Sequence, residues 1–151
     1  MEQNITVALG CDHGGYALKE ELKAHLASKG IACQDFGCHS TESCDYPEFA
    51  KKAAQAVADG TCRFGVVVCT TGIGVSICAN KVRGVRCALC HESWTAQMTR
   101  RHNDSNMLAL GAGVTGPKLA VVILDAFLAA EFEGGRHQRR VDLMMAIEKK
   151  D

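Results

Sequence analysis

Cys69 closes a run of three valines, Val66 to Val68, and is followed at once by Thr70, Thr71, Gly72, Ile73 and Gly74. A β-branched run with no polar interruption is the pattern of a central parallel strand buried on both faces. The small residues after it form a turn whose N–H groups can point inward, and Val75, Ile77 and Cys78 continue as a helix. Backbone donors and the positive end of a helix favour negative charge, and the same field lowers a thiol pKa and raises its thiolate fraction. The stretch therefore predicts an anion cradle with a reactive sulfur at its edge. The simpler reading is a buried cysteine at a strand end, since free cysteine is among the most buried residue types.

Three further groups carry chemistry. Asp12-His13, between an apolar run and Gly14-Gly15, places a carboxylate and an imidazole at a loop tip; an aspartate there is often an N-cap, but facing an anion cradle it gains a second use. His102-Asn103-Asp104 ends a helical stretch, where a histidine can also complement the helix dipole. Arg136 and Arg140 stand at i, i+4, so both leave one helix face and can grip a phosphate between them; otherwise they are a solvated basic face. His25, His39 and His91 have no partner pattern and read as surface residues.

The elements that must position these groups follow from hydrophobic period and turn residues. Strands are expected at 4–9, 31–36, the valine run, 85–90 and 107–111, with Gly10 to Gly15 as the turn after the first. Leu18, Leu22 and Leu26 mark a helix stopped by Gly30. Asp45-x-x-Glu48 with Pro47 resembles a capping box opening an Ala-rich helix that ends at Gly60. Further helices are expected from 92 to about 102, from Gly116-Pro117 to the break at Glu133-Gly134-Gly135, and from 136 to 149. Strand and helix alternate five times, which argues an α/β fold with a five-stranded parallel sheet and helices on both faces. Ligands in such sheets bind beyond the carboxyl ends of strands where the strand order reverses, and the loops after the first and third strands are the natural pair.

At 151 residues the chain is expected to form one domain. With 17 basic and 17 acidic residues, its balance suggests neither a nucleic-acid patch nor a membrane surface. No apolar run approaches a membrane span and no basic n-region opens the chain, so a cytoplasmic protein is expected. Nine cysteines are scattered rather than paired as ligands, and no disulfide framework is expected. Cys87 and Cys90 lie three apart on a strand, hence on opposite faces, and read as core.

G-C-D-H-G-G-Y, D-F-G, D-Y-P, C-T-T-G-I-G-V-S-I-C-A-N-K, R-H-N-D-S-N, L-A-L-G-A and E-F-E-G-G-R-H-Q-R-R, in this order over nearly the whole chain, resemble the type B ribose-5-phosphate isomerases. The wider family includes allose-6-phosphate and galactose-6-phosphate isomerases. The resemblance implies a Rossmann-like three-layer α/β/α fold, no metal or other cofactor, and aldose–ketose interconversion through an enediolate. By matching position it implies Cys69 as the base between C2 and C1, Thr71 as a hydroxyl moving protons between O1 and O2, and the turn amides of Thr70, Gly72, Ile73 and Gly74 as donors to the enediolate. It implies His102 as the acid that opens the furanose ring, Asp12 as acceptor of the hydroxyl proton, Asn103 as a sugar contact, and His13, Arg136 and Arg140 as phosphate ligands. Tyr46 would line the pocket. The chain departs from the family pattern at Thr70, where glycine is frequent, and at Gly113, where many members carry an arginine.

Ribose 5-phosphate and ribulose 5-phosphate are the expected substrates, allose and galactose phosphates the alternatives. A non-catalytic phosphate- or nucleotide-binding module is the alternative of another class, and it would need none of Cys69, Thr71 and His102. A thiol redox protein would want a resolving cysteine beside Cys69, and the nearest in sequence, Cys62 and Cys78, lie across a strand and along a helix. Helix direction adds an expectation about assembly. Cys69 ends its strand on the carboxyl edge of the sheet, whereas the helix ending near His102 runs back to the opposite edge, about 15 Å away for ten residues. Both residues can serve one sugar only if a two-fold homodimer makes composite sites; whether dimers pair into tetramers is left open.

Overall fold

The computed structural model describes residues 4–149. Five strands, β1 (Thr6–Cys11), β2 (Ala32–Asp35), β3 (Phe64–Cys69), β4 (Cys87–Leu89) and β5 (Met107–Gly111), form one sheet in the order β2-β1-β3-β5-β4. Every pairing is parallel. The order reverses between β1 and β3, at the pair of loops that carry Asp12-His13 and the turn after Cys69.

The six helices are α1 (Tyr16–Ser28), α2 (Tyr46–Ala58), α3 (Ile73–Asn80), α4 (Ser93–Asn103), α5 (Pro117–Ala129) and α6 (Arg136–Ala146). The alternation of β3 side chains explains the layers. Val66 and Val68 join Leu18, Leu22 and Leu26 of α1, Ala96 of α4 and Ile123 and Phe127 of α5 in one core. Val67 and Cys69 face Ala50, Ala53 and Val57 of α2 and Val75 of α3 on the other side. All six β3 residues are buried, which is why this strand reads as an unbroken apolar run. Cys87 packs against the second core and Cys90 lies in the first, on opposite faces as their spacing requires.

Several boundaries differ from the sequence expectation. β1 runs on through Gly10 and Cys11 because they keep register with Val67 and Val68 of β3. α6 stops at Ala146 and the chain then winds with i→i+3 bonds such as Ile147 N–H to Met144 O, while Glu148 accepts from the Gly84 amide. The capping box at Asp45 is not made: Asp45 is the N-cap of α2 without a side-chain bond, and Pro47 in the first turn has no N–H to offer. A side-chain cap appears instead at Glu92, which accepts from the amides of Trp94 and Thr95. His25 is not a partnerless surface residue. Its Nε2 lies 2.8 Å from Asp125 Oδ1, joining α1 to α5.

The α1 stripe also hides a charge. Lys19 is fully buried beside Leu18 and Leu22, 2.8 Å from Asp35 Oδ1 and donating to the Cys38 carbonyl. Burial raises the Asp35 carboxyl, but hydrogen bonds from Lys19, the Gly37 amide and Lys23 outweigh it and hold it below the usual carboxylate range. This pair fixes the end of β2 and the chain beyond it against β1.

Candidate active site

Cys69 is the last residue of β3 and is buried. The chain turns sharply after it because Gly72 adopts φ 77°, a conformation that only glycine takes at no steric cost. A side chain there would also meet Leu89 and the backbone of Leu110. The turn brings the Gly72 N–H to 3.1 Å from Cys69 Sγ, a donor that supports negative charge on sulfur. Ile73 N–H donates to Thr71 Oγ1 at 3.2 Å. Two of the expected cradle amides are thus used inside the turn, and Gly72 serves the sulfur rather than lining the cleft. Among the described residues the amides of Thr70, Thr71 and Gly74 have no protein partner, and these remain for a ligand.

A cleft of about 410 Å³ opens on this turn, lined by Asp12, Tyr46, Cys69, Thr70, Thr71, Ile73, Gly74 and Ile77. Tyr46 starts α2 and lies against Gly74, where an added Cβ would stand 2.7 Å from the ring. Asp12 is buried, and its Oδ1 accepts from the Gly15 amide at the start of α1. It therefore closes the turn before α1 and walls the cleft together. His13 is exposed, and its Nδ1 accepts from the Cys44 amide at 3.2 Å, which places the ring proton on Nε2.

The two departures from the family pattern touch each other. Gly113 N–H donates to the Thr70 carbonyl at 2.8 Å, and a Cβ at position 113 would lie 3.0 Å from Thr70 Cγ2 and 3.1 Å from Thr70 O. The threonine methyl crowds the place from which a side chain at 113 would start.

His102, Asn103, Arg136 and Arg140 are not in this cleft. His102 and Asn103 end α4 just before β5, whose first residue Met107 pairs with Gly65 while its last, Gly111, pairs with Cys69. Five residues of strand span about 13 Å, so within one chain the two groups stand at opposite edges of the sheet. The His102 ring stacks on His137 with centroids 4.4 Å apart and planes 10° from parallel. Glu133 lies between them, 3.9 Å from His102 Nε2 and 3.8 Å from His137 Nε2, and is held by Arg101 Nε at 2.7 Å. This cluster ties α6, with Arg136 and Arg140 exposed on it, to the end of α4.

Burial first, then the positive neighbours His102 and Arg136, keep the His137 imidazole below the ordinary histidine range. His102, Glu133 and His137 are the described group whose donor atoms come within 4.8 Å of one another. Nearly parallel rings do not aim their lone pairs at one point, so a metal ion would require one ring to turn.

Sequence reasoning gave no role to Glu133, His137, Arg86 or Asn106. Arg86 donates to the carbonyls of Asn103 and Asp104, and Asn106 accepts from the Arg86 amide. Together they pin the helix end that presents His102. The R-H-N-D-S-N and E-F-E-G-G-R-H-Q-R-R runs contain three of these four residues, but only their meeting in space gives them a purpose.

Comparison with known proteins bears on the whole arrangement. Residues 7–144 match the family model described as Ribose/Galactose Isomerase. Ribose-5-phosphate isomerase B of Escherichia coli is 49% identical over 144 residues, 95% of this chain and 97% of the relative. Ribose-5-P isomerase B of Listeria innocua is 43% identical, covering 97% and 99%. The solved structure of Clostridium thermocellum ribose-5-phosphate isomerase B superposes with a TM-score of 0.95 at 51% identity over 96% of this chain and 98% of that one.

Proposed function

The chain belongs to the ribose/galactose isomerase family, and on that premise we propose that it interconverts ribose 5-phosphate and ribulose 5-phosphate through an enediolate, with Cys69 as the base. One observation carries the reading: Cys69 sits at the strand-order switch with a backbone donor on its sulfur and three unpartnered amides beside it. In the open-chain sugar the Cys69 thiolate takes the C2 proton and returns it to C1. The Thr71 hydroxyl moves the proton between O1 and O2, and the amides of Thr70, Thr71 and Gly74 hold the developing oxyanion. Asp12 keeps one carboxylate oxygen for the sugar hydroxyl while the other accepts from the Gly15 amide in the turn before α1. Tyr46 and Ile73 wall the cleft.

The remaining roles need a second copy. His102 as ring-opening acid, Asn103 as sugar contact and Arg136 with Arg140 as phosphate ligands stand about 13 Å or more from Cys69 along the sheet. A two-fold homodimer that brings one chain's His102 cluster to the other chain's cleft completes two sites together with His13. Ile73 and Ile77, exposed at 51% and 53% beside the cleft, give such a contact an apolar surface. We take the enzyme to be a single-domain cytoplasmic isomerase that needs no metal; among the described residues no helix is long and apolar enough to cross a membrane.

The test compares kcat/KM for ribose, allose and galactose phosphates with and without EDTA. Ribose 5-phosphate should lead and the chelator should change nothing. A preference for a six-carbon phosphate would overturn the substrate, and loss of activity restored by a divalent ion would overturn the metal-free mechanism.

A further inference from the structure

The backbone that carries His102 is held firmly, and its ring is not. Arg86 donates to the Asn103 and Asp104 carbonyls, and Arg100 binds the carboxylate of Asp104, the left-handed C-cap of α4. The His102 imidazole makes no hydrogen bond among the described residues. Its side chain is 40% exposed, and the Glu133 carboxylate stands 3.9 Å from its Nε2. What fixes the plane of the ring is the face of His137, with centroids 4.4 Å apart and planes 10° from parallel.

His137 is a firm support. Its side chain is only 9% exposed, in the first turn of α6. The turn before that helix is tied twice to α4, by Glu133 N–H to Arg101 O at 3.1 Å and by Arg101 Nε to Glu133 Oε2 at 2.7 Å. Packing alone does not require a histidine here. Its Nε2 is buried without a partner, 3.8 Å from Glu133 Oε1, and an unpaired buried polar atom costs stability that a leucine would keep. What a leucine lacks is a flat face. Burial first, then His102, Arg136 and Arg140, disfavour a charge on the His137 ring, and Glu133 alone among its charged neighbours favours one. A neutral ring stacks on His102 without repelling the proton that His102 must carry to act as an acid.

We propose that His137 is a positioning residue for the ring-opening step: its face holds the His102 imidazole in the orientation from which it protonates the furanose oxygen. This role rests on the function proposed above. In that step the His102 proton passes to O4 as the C1–O4 bond breaks, and the O1 hydroxyl proton passes to Asp12, which leaves the open-chain aldehyde. His137 touches neither the sugar nor the proton. A half-exposed ring without this support would spread over several rotamers, few of them aligned for transfer.

Three variants separate the face from the volume and the nitrogen. His137→Ala empties the place, His137→Leu fills it without a flat face, and His137→Phe keeps the face without the nitrogen. In the Ala and Leu variants kcat for ribose 5-phosphate should fall about tenfold or more, part of the roughly 10²- to 10⁴-fold that a positioned acid contributes, with KM near that of the parent. His137→Phe should restore most of kcat. Proton NMR reads the stack directly: the His102 ring signals, identified by their loss in His102→Ala, should be shielded in the parent and in His137→Phe and move downfield in the other two. If His137→Ala does not fold, the Leu and Phe variants carry the same comparison. Parent kcat in His137→Leu overturns the proposal. So does a raised KM in place of a lowered kcat, which would mean that His137 acts through Arg136 and Arg140. A Phe variant as slow as the Leu variant overturns it too, since the nitrogen and not the face would then matter. If the parent turns over no pentose phosphate, the functional reading fails, and the shielding still decides whether His137 holds the His102 ring.

Discussion

The two edges of the sheet carry chemistry by different means. At the carboxyl edge the Cys69 turn is built from backbone: buried strands in register, a left-handed Gly72, and amides aimed at a sulfur and a cleft. At the amino edge the His102 group is built from side chains. Arg101, Glu133 and His137 hold the ring from one direction and Arg86 pins the helix end from another. Backbone geometry is fixed by the fold itself, whereas a side-chain cluster depends on every member. The first edge should therefore tolerate surface change and fail at its reactive atom or where its buried support is removed, and the second should fail by degrees.

The sharpest test of that contrast joins the two edges. Cys69→Ala and His102→Ala should each lose at least about a hundredfold in kcat, the lower range for a general base or acid. Refolded together they should recover about a quarter of parent activity, because random pairing gives half mixed dimers, each with one intact site. Activity no higher than that of the separate variants, with mixed dimers present, would place Cys69 and His102 in the same site of the same chain.

Asp35→Asn attacks the carboxyl edge through its support. It leaves Lys19 fully buried without its carboxylate, and losing one partner of a buried pair costs about 3–5 kcal/mol. Its acid response has a definite sign. The Asp35 carboxyl is depressed in the fold, so the stability it contributes is full above its unfolded pKa, near 4, and is lost as pH falls through the folded value. The melting temperature of the parent should fall on acidification below that point, and the variant should lack this component. Equal acid slopes in the two proteins would show that the Lys19–Asp35 pair contributes little.

At the amino edge Arg136→Ala and Arg140→Ala should raise KM about ten- to a hundredfold, since a charge-assisted hydrogen bond is worth about 1.5–3 kcal/mol, with kcat nearly unchanged. Unaltered KM in both would make them a solvated face. The smallest effect sits between the turn and the loop after β5. Gly113→Arg alone should tighten substrate little, because Thr70 crowds its Cβ. Combined with Thr70→Gly it should tighten binding, with a coupling of about 0.5–3 kcal/mol between contacting positions. Additive changes would mean that Thr70 does not stand in the way.

The same contrast explains what the sequence made legible. The valine run, Gly72 and the alternation of elements write the carboxyl edge into local pattern, and strand order placed Asp12 beside Cys69. That His102 would stand at the opposite edge also followed, from helix direction alone. What escaped was long-range polar pairing. Lys19 interrupts a leucine stripe and looks solvent-facing until Asp35 meets it. His25 finds Asp125 a hundred positions on, and the stacking of His137 on His102 leaves no trace in period or spacing. The capping box at Asp45 failed for a local reason, since a motif match does not require the side chain to turn inward.

The 13 Å or so of strand between the two edges also has a consequence in dilute solution. If neither edge can complete the other within a chain, a lone protomer holds two half-sites and turns over nothing. Specific activity then becomes a binding curve for the protein against itself, constant at high concentration and falling once the chains are diluted below their own dissociation constant. Substrate, which bridges the halves, would shift that curve to lower protein concentration, so the sugar phosphate would act as an assembly ligand as well as a reactant.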